Sequence, residues 1–136
     1  MIYTIGYQRL SLDDLKKIME AEHIDKLLDV RSIPYSRWKP DFNKNALAAT
    51  FGTRYCWKGR LLGGKHGPVT EEGVEYLLGL PAEKRYLLMC MEADPRDCHR
   101  FQDIGLRLLE RGNDITHVEG MFGLKTTTSK LKGGSS

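Results

Sequence analysis

Short β-type runs alternate with amphipathic helical stretches along this chain, and that alternation most constrains its fold. Ile2 to Gly6 is an apolar run closed by glycine. Ser11 follows as an N-cap with Asp14 at the third helical position, and Leu12, Leu15, Ile18 and Met19 form a helical stripe. Lys26 to Val30 reads as a second strand, Arg54 to Trp57 as a third, Arg85 to Met91 as the fourth and most apolar, and Ile115 to Val118 as a fifth. Helices are expected over about 44–51, from a Thr70 cap through Leu78, and from an Asp97 cap to Gly112. The first two strands with their helix make a βαβ unit and are expected to lie as a parallel pair. The pattern predicts an α/β fold: a single three-layer domain over 1–124, with a mainly parallel sheet of about five strands and helices on both faces. Residues 125–136, rich in Thr, Ser, Lys and Gly, are expected to form a flexible C-terminal tail. Right-handed crossovers then gather the turns after Gly6, Asp29, Trp57, Cys90 and Val118 on one sheet edge, where ligands of such folds bind.

Composition narrows the setting. No apolar run approaches the ~20 residues that span a bilayer, and Met-Ile-Tyr-Thr-Ile-Gly has no charged region before an apolar stretch. The 3 cysteines are too few for a disulfide scaffold. The expectation is a cytoplasmic protein with reduced thiols and no membrane partner. Net charge is only +3, yet it is unevenly spread. Segment 31–66 carries Arg31, Arg37, Lys39, Lys44, Arg54, Lys58, Arg60 and Lys65 against the single acid Asp41. Tyr35, Trp38, Phe42, Phe51, Tyr55 and Trp57 interleave with them. Cations alternating with aromatics suit phosphates and stacked bases; a solvated basic face with aromatics packed beneath it is the other reading. Residues 32–44, with Pro34 and Pro40, form a long irregular loop, a length that in compact domains is usually functional or disordered. The aromatics argue against disorder.

Chemistry-bearing side chains concentrate between Cys90 and Arg100, in the turn from the fourth strand to the last helix. Cys90 and Arg96 have the Cys-x5-Arg spacing of a thiolate phosphatase loop, and a persulfide-carrying sulfurtransferase uses a similar one. Glu92 and Asp94 would repel a phosphate dianion and raise the thiol pKa, and Pro95 has no amide to donate. Arg100, in the first turn of the last helix, is the preferred phosphate or carboxylate ligand; pairing with Asp94 or Asp97 is the alternative. Asp29 and Glu92 end apolar strands, where an unpaired charge is costly. They are the candidate acid–base pair, or else anchors for Arg31, Arg37 or Arg100. Tyr7, just past the first strand, is a candidate for stacking on a base. A zinc site from Cys90, Cys98 and His99 would need a fourth ligand such as Cys56 or His66, and the spacing matches no strong metal pattern; no metal and no cofactor are expected. Gly63-Gly64 before Lys65-His66 reads as a plain turn without the spacing of a phosphate loop.

These pieces together resemble the domain of unknown function 488 family. The family pattern is similar to Thr4-Ile5-Gly6, Asp29-Val30-Arg31, Pro34, Ser36, Leu62-Gly63-Gly64, Cys90, Glu92 and Cys98-His99-Arg100. Where the pattern carries His-Ser after the first glycine, this chain has Tyr7-Gln8, so a base there would be tyrosine or absent. The resemblance implies a motif set gathered at one site and supplies no reaction or substrate.

The leading expectation is a phosphate-bearing ligand, nucleotide or nucleic acid, bound at the carboxyl edge of the sheet and processed there. Arg31, Arg37 and Arg100 would hold phosphate, with Ser36 and His99 beside them. Tyr7, Tyr35 and Trp38 would stack on or enclose the base. Asp29 and Glu92 would supply acid–base chemistry, with Cys90 the weaker nucleophile candidate. The alternatives are a non-catalytic nucleotide or nucleic-acid binding module using the same loop, and a cysteine-thiolate phosphatase or sulfurtransferase-like enzyme.

Overall fold

The computed structural model describes residues 1–64, 67–92, 98–119 and 124–127. In chain order the elements are β1 (Ile2–Gly6), α1 (Leu12–Ala21), β2 (Lys26–Asp29), α2 (Lys44–Phe51), β3 (Tyr55–Trp57), α3 (Gly59–Leu62), α4 (Glu71–Leu78), β4 (Tyr86–Cys90), α5 (His99–Glu110), β5 (Thr116–Glu119) and β6 (Leu124–Thr127). They form one sheet in the order β3-β2-β4-β1-β5-β6. The first five strands run parallel and β6 returns antiparallel to β5. The fold is therefore α/β with a mainly parallel sheet. β6 takes residues 124–127 into the sheet, so that 125–127 of the stretch that the sequence reads as a tail are a strand.

One expectation is corrected. β1 and β2 are parallel but not paired, because β4 lies between them and bonds to both. Its sequence explains the place: all five residues of Tyr86–Cys90 are buried, and such a continuous apolar run belongs where both faces are covered. The chain moves one way across the sheet from β1 to β3, then turns back to insert β4 and continue to β5. With right-handed crossovers, that reversal puts the helices on opposite faces.

The core accordingly divides in two with the two-residue period of the strands. Tyr3, Ile5, Leu27, Tyr55, Leu87, Met89 and Val118 point toward Leu15, Ile18 and Met19 of α1 and Leu47 of α2. Leu28, Tyr86, Leu88 and Cys90 point the other way, toward Val74 and Leu77 of α4 and Phe101, Ile104 and Leu108 of α5. Burying an aliphatic side chain of this kind contributes roughly 1.5–3 kcal/mol.

Helix ends follow their local chemistry. Ser11 and Asp14 form the expected reciprocal cap, with Asp14 N–H donating to Ser11 Oγ at 3.1 Å and Ser11 N–H to Asp14 Oδ2 at 2.9 Å. Thr70 caps α4 through the Gly73 amide. The last helix departs from expectation at its start: Cys98, not Asp97, holds the N-cap position and makes no side-chain capping bond, while Asp97 lies outside the described residues. It ends as expected at Gly112, whose φ of 78° is left-handed and lets Asn113 N–H reach the Leu108 carbonyl at 2.8 Å. Two open clefts, of about 470 and 440 Å³, lie at the amino ends of the strands. One is lined by His23, Phe51 and Arg54, the other by Met1, Leu80 and Thr116.

A buried polar pair crosses the sheet interior. His117 of β5 is opposite Thr4 of β1, and Thr4 Oγ1 and His117 Nδ1 share a hydrogen bond. Burial holds the imidazole below its ordinary pKa of 6.5. The unfolded chain therefore binds the proton more readily, so this contribution to stability is complete above the ordinary value and is lost as pH falls below it. Urea unfolding should show a lower midpoint at about pH 5.5 than at about pH 7.5, and His117→Gln should remove part of that difference. An unchanged pH slope in the variant would contradict the assignment.

Candidate functional site at the carboxyl edge

The strand ends place two polar clusters at the same edge but on opposite faces of the sheet. The first forms around Asp29, the last residue of β2, which is 0% exposed. Arg31 folds back onto it: Nε donates to Oδ1 at 2.8 Å and Nη2 to Oδ2 at 2.6 Å. The Arg31 backbone amide adds a bond to Oδ1 at 3.1 Å, and Tyr55 Oη donates to Oδ2 at 2.6 Å. The carboxylate is thus held by four donors. Such a two-pronged guanidinium–carboxylate pair is the strong form of ion pair, and here it replaces the water that burial removes. Burial opposes the Arg31 charge, but the hydrogen bonds and attraction of Asp29 outweigh it and raise the guanidinium pKa. Burial followed by the bond to Asp29 likewise pushes the Tyr55 phenol up, so it remains a donor.

Arg31 ties this pair to the loop that follows. Its Nη2 also donates to the Phe42 carbonyl at 2.6 Å, and its guanidinium lies 5.0 Å from the centre of the Tyr7 ring. Tyr7 in turn stacks on Phe42 at 4.8 Å between ring centres. Tyr7, expected to meet a base, is therefore buried between protein groups. Arg31, expected to hold phosphate, is 7% exposed and committed to Asp29 through two of its three nitrogens. Its Nη1 is buried with no hydrogen-bond partner among the described residues. Trp57 Nε1 donates to the Arg31 carbonyl at 2.7 Å. An added Cβ at Gly59 would fall 1.9 Å from that carbonyl, and one at Gly63 would fall 2.3 Å from Ser32 Oγ. The glycines around α3 are thus close-packing positions against the loop, a role beyond the plain turn expected at Gly63-Gly64.

The rest of the loop is pinned but leaves several side chains outward, Ile33 and Asp41 among them. Ser36 N–H donates to Asn43 Oδ1, Lys39 N–H to Ser36 Oγ, and Lys44 N–H to the Pro34 carbonyl. Tyr35 is 57% and Trp38 88% exposed, with the exposed Arg37 between them. The interleaved basic segment therefore contains both arrangements that the sequence allows. Phe42 and Tyr55 are packed beneath, Lys44 lies over the Trp57 ring, and Tyr35 and Trp38 face solvent.

The second cluster lies at the end of β4. Cys90 Sγ is 3.0 Å from Cys98 Sγ and 3.4 Å from Glu92 Oε2. Cys90 packs on the α5 side, whereas Asp29 lies beside Met89, which packs on the α1 side. Asp29 and Glu92 thus have different partners on different faces and are not brought together as a pair. The Cys98 hydrogen bond, then burial, then the neighbouring Glu92 push the Cys90 thiol up, the reverse of what activates a nucleophilic thiolate. His99 and Arg100 occupy the first turn of α5. Their side chains, together with Asp94, Pro95, Arg96, Lys65 and His66, lie outside the described residues.

Asp29→Asn keeps the shape of the side chain but leaves Arg31 charged without its counter-ion. It should lower unfolding free energy by about 3–5 kcal/mol, against about 1 kcal/mol for Tyr55→Phe, both measured by urea titration. Equal effects would remove the ion pair from its central place.

A family model described as "Domain of unknown function DUF488" matches residues 11–71. The match takes in Asp29-Val30-Arg31, the loop with Pro34 and Ser36, and Leu62-Gly63-Gly64, and stops before Cys90. None of the curated proteins and none of the solved structures compared with the chain matches it. Residues 11–71, which hold the Asp29–Arg31 pair and the loop it anchors, are thus the part of the chain that is similar to that family.

Proposed function

We propose that the protein binds a phosphate-bearing ligand, nucleotide or single-stranded nucleic acid, at the carboxyl edge through the loop between β2 and α2. The observation that carries this reading is the outward presentation of Tyr35 and Trp38 about Arg37 on a loop otherwise fastened to buried structure. An exposed tryptophan on a mobile tail would lose much ordering entropy on binding. Here the backbone is already fixed, so stacking a base on the indole forfeits little more. Arg37 and Arg60, both exposed, supply phosphate contacts from the same basic segment.

This reading favours binding over cysteine chemistry, because Cys98 and the Glu92 carboxylate stand beside the Cys90 thiol, neighbours that do not activate a thiolate nucleophile. It also gives Asp29 a positioning role: the carboxylate fixes Arg31, and Arg31 fixes the loop.

Titration with single-stranded oligonucleotides, followed by tryptophan fluorescence across a salt series, tests the proposal. Binding at low salt should weaken linearly in log–log form, by about 0.7 in slope per phosphate contacted. Trp38→Ala should lose about 1–3 kcal/mol of binding while changing unfolding free energy by no more than about 0.5 kcal/mol. Arg37→Ala should flatten the salt slope by roughly one contact. Absence of binding at low salt, or affinity indifferent to salt, would overturn it.

A further inference from the structure

We infer that Cys90, Glu92 and Cys98 form a binding site for a thiophilic divalent cation, zinc by the chemistry of its ligands, at the turn between β4 and α5. This does not depend on what the loop between β2 and α2 binds.

Each of the three residues offers a ligand atom, and all three atoms lie within 4.8 Å of one another. Two sulfurs and one carboxylate oxygen suit zinc; calcium and magnesium prefer oxygen alone. In a tetrahedral zinc site with bonds of about 2.3 Å, two thiolates stand about 3.7 Å apart. The 3.0 Å between the sulfurs therefore needs only a small side-chain opening to admit the ion.

The fold supports these donors from two directions. Cys90 is the last residue of the fully buried central strand, where its carbonyl accepts from Tyr7 N–H at 3.0 Å. Cys98 is fixed at the start of α5, where its carbonyl accepts from Gln102 N–H at 3.1 Å. Both thiols are buried, and Glu92 is partly exposed. Binding releases both thiol protons to solvent as the two thiolates form. Among the described residues these three side chains supply three donors.

The cysteine-and-histidine set considered from the sequence differs from this one. There His99 was the third donor; here it is Glu92, whose Oε2 lies 3.4 Å from Cys90 Sγ.

Cobalt(II) is the direct probe, added to the reduced full chain and read by the thiolate-to-cobalt charge-transfer absorption. One cobalt per chain should bind, and excess zinc should bleach the band. Cys98→Ser should abolish it. Glu92→Gln, a change at a partly exposed position, should keep the fold by circular dichroism and weaken affinity roughly tenfold or more. Cys56→Ser should leave the band intact. Failure of the reduced wild-type chain to give the band, or an undiminished affinity in Glu92→Gln, would overturn the site. So would a Cys90–Cys98 pair that forms a disulfide on mild oxidation while its reduced form binds no cobalt.

Discussion

The ion pair between Asp29 and Arg31 organises the carboxyl edge of the sheet. A carboxylate with no exposed surface is tolerable only because four donors converge on it. Once Arg31 is committed there, its remaining contacts determine the course of the chain. The Phe42 carbonyl is drawn to Nη2, Phe42 stacks on Tyr7, and Trp57 closes on the Arg31 carbonyl. Strands β2 and β3, Tyr7 after β1 and the loop before α2 are therefore coupled through the two residues of one ion pair. Loss of either partner leaves the other charged in a place that water does not reach.

That coupling separates two jobs that the same residues share in the sequence. Residues 29–44 contain both the most buried charges and the most exposed large aromatic ring among the described residues. The buried part fixes the loop backbone, and the exposed part is then presented without structural obligations. Rigid support beneath adaptable contact is the usual requirement for precise recognition by a loop.

Much of the fold was legible because its signals are local. The Ser11–Asp14 cap, the stripe of Leu15, Ile18 and Met19, the Thr70 cap and the Gly112 stop each depend on neighbours within a few residues. Pairing order was not: nothing near Ile2 or Lys26 reveals that β4 comes between them, since that depends on a strand some sixty residues later whose apolar run requires the centre. The site was half legible. Asp29, Arg31 and Glu92 stood out as charges at the ends of apolar runs, and anchoring of Arg31 by Asp29 was one of two readings kept. The donors Tyr55 and Trp57 were counted only as aromatics in a basic segment. Their hydroxyl and indole N–H reach Asp29 and Arg31 because β3 pairs with β2, a contact that sequence spacing does not express. His117 was missed for the same reason, since its partner Thr4 lies in the first strand. At position 7 the aromatic ring hinted at stacking, but the partner is Phe42 of the protein itself.

The alternation of side chains along adjacent strands has a further consequence. Met89 and Cys90 are consecutive, yet one packs toward α1 and the other toward α5, so the Asp29 and Cys90 clusters face opposite sides of the sheet. Tyr7 touches both, with its ring against Arg31 and its amide on the Cys90 carbonyl, so substitutions that move Tyr7 should couple the two. A lineage of such chains could redesign the thiol-bearing face while its loop kept the same grip on the other side.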